Sequence, residues 1–132
     1  MPDRYTLALR TAYASNTGGP YTDPWDRAVV PSTGTVRGVW AVAQSITSNT
    51  QTNRVDIFLQ ADAPAAGSNT ATTVLVNPIT LSDNRDAVLG TVRHATARVT
   101  AGDQLELRTD MNNVGSQPGF LALTATIEIE RD

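Results

Sequence analysis

The chain has 132 residues, 40% of them hydrophobic, with a formal net charge of −3 and a sequence pI near 5.0. Cysteine is absent, which excludes disulfides and thiolate metal sites. The ten basic residues are all arginine and stand singly, so the basic patch that neutralises nucleic-acid phosphates is missing.

This length suits one domain with one core and no covalent staples. The start, Met1-Pro2-Asp3-Arg4, has no basic segment leading into an apolar one, so no secretory leader is expected. No apolar run is long enough for a membrane-spanning helix.

Arg4 to Tyr13 alternates, with Tyr5, Leu7 and Leu9 on one side and Thr6, Ala8 and Arg10 on the other. Period two predicts a half-buried strand. Residues 14–27 are expected to form a long loop, because Asn16-Thr17-Gly18-Gly19-Pro20 and Asp23-Pro24 are strong chain punctuation. Tyr13, Tyr21 and Trp25 lie in or beside it, and that much aromatic surface must be covered by something. These three are the candidate partner-binding residues. They cap the open end of the core, or they form a protein interface, where Tyr and Trp are enriched. Sugar stacking is a third option.

Ala28-Val29-Val30 is a short strand stopped by Pro31, and Ser32-Thr33-Gly34 turns the chain. Thr35 to Ile46 reads as a long strand with Val36, Val39, Trp40 and Val42 as apolar members. Gly38 inside it predicts a bulge or a close backbone approach. Arg54 to Gln60 alternates with Val55, Ile57 and Leu59 inward, and residues 61–69 form a small-residue loop. Thr72 to Leu81 is a strand broken near Asn77-Pro78, since proline removes a ladder donor. Val88 to Val92 and Ala95 to Val99 are short strand candidates. Ala101-Gly102-Asp103 is a tight turn into a strand with Leu105 and Leu107 inward and Gln104, Glu106 and Arg108 outward. Residues 110–119 read as loop. Phe120 to Glu130 closes the chain, with Leu121, Leu123, Ala125, Ile127 and Ile129 on one face.

No window repeats its apolar residues every 3.6 positions. Seven to nine short strands with frequent turn signals predict an all-β sandwich or barrel.

The chemistry-bearing residues do not converge. His94 is the single histidine, beside or within a strand, and no nucleophile elbow, P-loop or zinc-ligand spacing occurs. The carboxylate pairs Asp23/Asp26, Asp83/Asp86 and Glu128/Glu130 are local neighbours, read as surface charge. Glu128 and Glu130 are expected to blunt an exposed strand end. Asp83-Asn84-Arg85-Asp86 and Asp110-Met111-Asn112-Asn113 supply oxygen ligands without EF-hand spacing, and Asx turns account for both. No enzyme activity, cofactor or metal is expected.

From Ala28 onward, five segments recur in a familiar order. They are Val29 to Val36, the strand around Val55-Asp56-Ile57, Leu75 to Leu81, Thr100 to Leu107, and Pro118 to Ile127. This layout resembles the small jelly-roll domains of tailed-bacteriophage virions, which serve as capsid decoration proteins and as modules of head and tail fibres. The same layout occurs in C1q- and tumour-necrosis-factor-like jelly rolls. The resemblance implies a single jelly-roll-like antiparallel β-sandwich over 1–132. It also implies a non-enzymatic virion structural protein that decorates the outside of an assembled phage capsid and stabilises it. The partner would be the major capsid protein, the protein itself a homotrimer made in the host cytoplasm, with neither nucleic acid nor membrane bound. Faces carrying Ala122, Thr124 and Thr126, or Val39 and Ala41, would pack between protomers. The alternative is a carbohydrate- or receptor-binding module of a tail fibre or baseplate, with Trp25, Asp23 and Asp26 as its local site.

Overall fold

A computed structural model describes residues 3–15, 22–46, 52–60, 72–81, 87–112 and 119–132. Within these, the backbone alone is described for residues 11–15, 22–25, 44–46, 52–54, 60, 109–112 and 119–122. The chain forms two antiparallel sheets stacked as a sandwich. Its strands are β1 (Arg4–Ser15), β2 (Thr22–Val29), β3 (Gly34–Ile46), β4 (Thr52–Gln60), β5 (Thr72–Thr73), β6 (Ile79–Leu81), β7 (Val88–Leu89), β8 (Arg98–Val99), β9 (Gln104–Asn112) and β10 (Gly119–Arg131).

The first sheet runs β1-β10-β3-β7, with β8 also pairing β3. The second runs β2-β9-β4-β5, with β6 also pairing β4. The pairings nest: β1 with β10, β2 with β9, β3 with β7 and β8, β4 with β5 and β6. A long antiparallel ribbon folded at β4–β5 and wrapped round the core gives this nesting, which is the jelly-roll topology.

Inward residues alternate along the long strands, as period two demands. Leu9, Val55, Ile57, Leu105, Leu107, Leu123, Ile127 and Ile129 are all at most 1% exposed and belong to one core cluster. Each such Leu, Ile or Val contributes about 1.5–3 kcal/mol relative to leaving it in water.

β3 breaks the alternation. Glu128 faces Gly38 while Ile129 faces Val36, which leaves Arg37 as an extra residue in a bulge. Val36 and Val39 therefore both point inward although they are three apart. Beyond the bulge, Val39 and Ala41 are 0% exposed, and Trp40 and Val42 lie on the outer face. This corrects the expectation that Val39 and Ala41 pack between protomers, because they are core. Gly38 also accommodates a close approach. A Cβ there would sit 2.4 Å from Cη2 of the Trp40 indole, so the ring occupies the space that the missing side chain leaves.

The turn before β9 follows its residue types. Gly102 has φ 96°, a conformation that costs glycine little. Asp103 Oδ2 accepts from the Thr100 N–H at 2.8 Å. The same turn ties to the end of β2: Val30 N–H donates to Asp103 O at 2.7 Å and Gly102 N–H to Val30 O at 2.8 Å.

Two expected loops are shorter than predicted. β1 continues to Ser15 and β2 begins at Thr22, so most of 14–27 is strand. Asp23-Pro24 does not stop β2. It makes an irregularity between the pairs Thr22/Thr109 and Asp26/Leu107, where the proline has no ladder donor to lose. Likewise β9 extends to Asn112, paired with Thr52 of β4, so the predicted loop from 110 loses its first three residues to strand.

Candidate functional site

The registers place Ser15, Thr22, Ile46, Thr52, Asn112 and Gly119 at one end of the sandwich. Tyr13, opposite Leu121 in β1, and Trp25, in the irregular part of β2, belong towards that end by backbone position. Tyr21 and the side chains of Tyr13 and Trp25 lie outside the described residues, as do Asp83 to Asp86. Asp110 and Asn112 are described by backbone alone.

Asp26 is described, and its carboxylate is engaged. Oδ2 accepts from the Arg10 N–H at 2.7 Å and Oδ1 from the Arg27 N–H at 2.9 Å. It thus joins β1 of one sheet to β2 of the other. It is half-buried in this role.

The outer face of the second sheet carries charge where alternation predicts it, but the charge is buried. Glu106 is 0% and Asp56 3% exposed. Arg27 Nε lies 2.5 Å from Glu106 Oε1, and Arg108 Nη2 lies 2.5 Å from Oε2. Arg108 Nε donates to the same Oε2 at 2.7 Å, which makes a forked contact. The Arg108 guanidinium stacks 4.2 Å from the centroid of Phe58. β2, β9 and β4 bring these residues into line, since Arg27 faces Glu106, Phe58 faces Glu106 and Asp56 faces Arg108. The sequence reading placed Glu106 and Arg108 outward and missed their burial. The available signal was opposite charge at i and i+2 in a strand flanked by Arg27 and Asp56.

The first sheet gathers its outer-face charge near the chain termini. Arg4 Nη1 donates to Glu128 Oε1 at 2.6 Å and Nη2 to Glu130 Oε2 at 3.3 Å. Arg37 Nη2 reaches Glu130 Oε1 at 3.4 Å. β10 is a central strand, so these glutamates form cross-strand ion pairs and do not blunt an edge. Arg131 pairs with Asp3 and lies 5.0 Å over the Tyr5 ring. Arg98 pairs with Asp132, and its hydrogen bond holds that carboxyl below the usual value. Burial raises the Tyr5 hydroxyl above its ordinary pKa, and the hydroxyl donates to Ser32 O at 2.6 Å.

Away from that end Arg10, opposite Thr124, is the one charge on the described outer face. Ala8, Thr124, Thr126, Val42 and Trp40 occupy it, and Leu89, opposite Trp40, is 62% exposed. Beyond Leu89 the two sheets separate into a cleft of about 290 Å³ lined by residues 77–80 of the β6 side and 88–91 of the β7 side. None of these eight residues is titratable. His94 is exposed in a short 3₁₀ turn, His94–Thr96. Among the described residues, no group of three His, Cys, Asp or Glu side chains is placed to hold a metal.

No family model matches the chain, and no curated protein matches it. Among solved structures, the crystal structure of a serine protease of Aeromonas sobria aligns with 98% of this chain and 28% of its own, at 13% identity and a TM-score of 0.43. The chain thus spans little more than a quarter of that protein, and a likeness at this score carries no argument about fold or activity.

Proposed function

We propose that this protein is a non-enzymatic virion structural protein, and that it decorates and stabilises the capsid of a tailed bacteriophage. One observation carries the reading. On both outer faces the described carboxylates Glu106, Glu128 and Glu130 are committed to arginines, which leaves sheet faces and strand edges as what the molecule presents. Surfaces of that kind act by burying area against partners. Many copies bridging neighbouring capsid subunits would make modest contacts effective. A closed trimer suits the threefold positions of a capsid. The carbohydrate-binding alternative draws less support, because Asp26 uses both carboxylate oxygens to hold backbone N–H groups.

The test uses phage heads lacking the protein. Adding purified chain is expected to place density on the outer surface by electron microscopy and to raise the temperature at which packaged DNA escapes. Heads that neither bind the chain nor gain resistance would refute it. A specific glycan-array signal lost in Trp25→Ala would favour the alternative.

A further inference from the structure

The first sheet ends differently on its two sides. Beside β7 the chain pairs again: Leu75 bridges Val92, Val76 N–H donates to Thr91 O at 2.9 Å, and Arg93 N–H donates to Val74 O at 2.7 Å. β1, the outer strand on the other side, pairs with β10 alone. Its Arg10 N–H points away from β10, because it reaches the Asp26 carboxylate at 2.7 Å. The register with β10 is unbroken from Arg4 to Ser15, so Thr6 and Ala8 turn their N–H and C=O the same way as Arg10. Asp26 covers the Arg10 donor and not the other two. Thr6 and Ala8 are exposed, and among the described residues nothing bonds their outward N–H groups.

A flat open edge of this kind recruits strands, and proteins usually break it with proline, a bulge or lysine. The stretch from Arg4 to Arg10 has none of these. It has an arginine at each end instead. Arg4 is matched by Glu128 and Glu130. Arg10 is exposed, and its guanidinium meets no carboxylate among the described residues. The arginines decide which strand can join. A second copy of β1, laid antiparallel and centred on Leu7, would set Arg4 against Arg10. A strand that places a carboxylate opposite Arg10 gains an ion pair there.

We infer that the open β1 edge at Thr6–Ala8 takes an extended segment of another protein, with an acidic residue opposite Arg10. The open N–H and C=O groups hold the segment main chain to main chain, and Arg10 selects the sign of its charge. This inference goes beyond the decoration reading and does not rest on it.

The probe is a synthetic peptide, Glu-Val-Thr-Val-Thr-Val-Glu, capped at both ends. The readout is amide hydrogen exchange of the full chain by NMR. Without peptide, the Thr6 and Ala8 amides should exchange fast, while those of Leu7 and Leu9, which face β10, are protected. Peptide should slow exchange at Thr6 and Ala8. The lysine counterpart, Lys-Val-Thr-Val-Thr-Val-Lys, should bind about tenfold more weakly. Arg10→Glu should lose that preference without touching the backbone. Ala8→Pro removes an outward N–H at no cost to the β10 ladder and should abolish binding, with circular dichroism checking that it folds. Thr6 and Ala8 amides that stay fast up to the solubility limit of the peptide would overturn the inference, as would binding that survives in folded Ala8→Pro. Equal binding of the two peptides would overturn the acidic assignment. Protection of Thr6 and Ala8 that grows with protein concentration alone would give the edge to a second copy and overturn the choice of partner.

Discussion

Replacing Glu106 by glutamine removes a carboxylate shared by two guanidinium groups while keeping its shape. Both of its oxygens are used, and its side chain is 0% exposed. The two arginines do not lose equally. Arg27 is 51% exposed and regains water, whereas Arg108 is 15% exposed and keeps its charge in a poorly solvated place. Breaking a buried pair from one side costs about 3–5 kcal/mol, and the solvation of Arg27 puts this case near the lower limit, about 3 kcal/mol. For a chain of this size that is a drop in melting temperature of about 10 °C. Urea unfolding followed by circular dichroism should show a lower midpoint with an unchanged slope. Removing both charges, as in Glu106→Met with Arg108→Met, should destabilise less than Glu106→Met alone, because methionine keeps apolar contact with Phe58 and the Arg108 charge is no longer left without Glu106. A loss under about 1 kcal/mol for Glu106→Gln would mean that the cluster behaves as ordinary surface charge and that the burial argument is wrong.

Four other outcomes are expected. Gly102→Ala should cost about 1 kcal/mol in urea unfolding, because φ 96° is strained for alanine. Gly38→Val should shift the fluorescence of Trp40, since any Cβ there meets the indole at 2.4 Å; an unchanged spectrum counts against the packing. The Tyr5 hydroxyl is raised by burial, so its contribution to stability is complete below its unfolded pKa and lost as pH rises through the folded value. Alkaline unfolding should therefore begin later in Tyr5→Phe relative to its own neutral stability. Ile127→Asp should abolish folding by placing an unpaired charge in the core, whereas His94→Ala should leave the melting temperature nearly unchanged.

Much of the fold was legible because the alternation in β1, β4, β9 and β10 is strict and each buries one face. Gly38 and the Ala101-Gly102-Asp103 turn were legible for a different reason, since each residue type has few other uses. β2 was hidden by Asp23-Pro24, which reads as punctuation but sits in a strand irregularity where no ladder donor is needed. The phase of β3 past Gly38 was hidden because a one-residue bulge at Arg37 reverses which side chains face inward. The charged cluster was misread because alternation assigns Glu106 to the outer face without saying whether that face is wet. The central position of β10 was equally invisible, since pairing order is a long-range property that no local window holds.

That pairing order has a kinetic meaning. β10 is the partner that both β1 and β3 require, and β9 is the partner that both β2 and β4 require. Until β10 is available, β1 has no partner among the described strands and β3 keeps only its short pairings with β7 and β8, so their apolar faces wait in water. Contacts between residues so distant in sequence make for slow folding and a long exposure to aggregation. Nascent or truncated chains ending before residue 119 should accordingly depend on chaperones, and closure of the first sheet should be a late event.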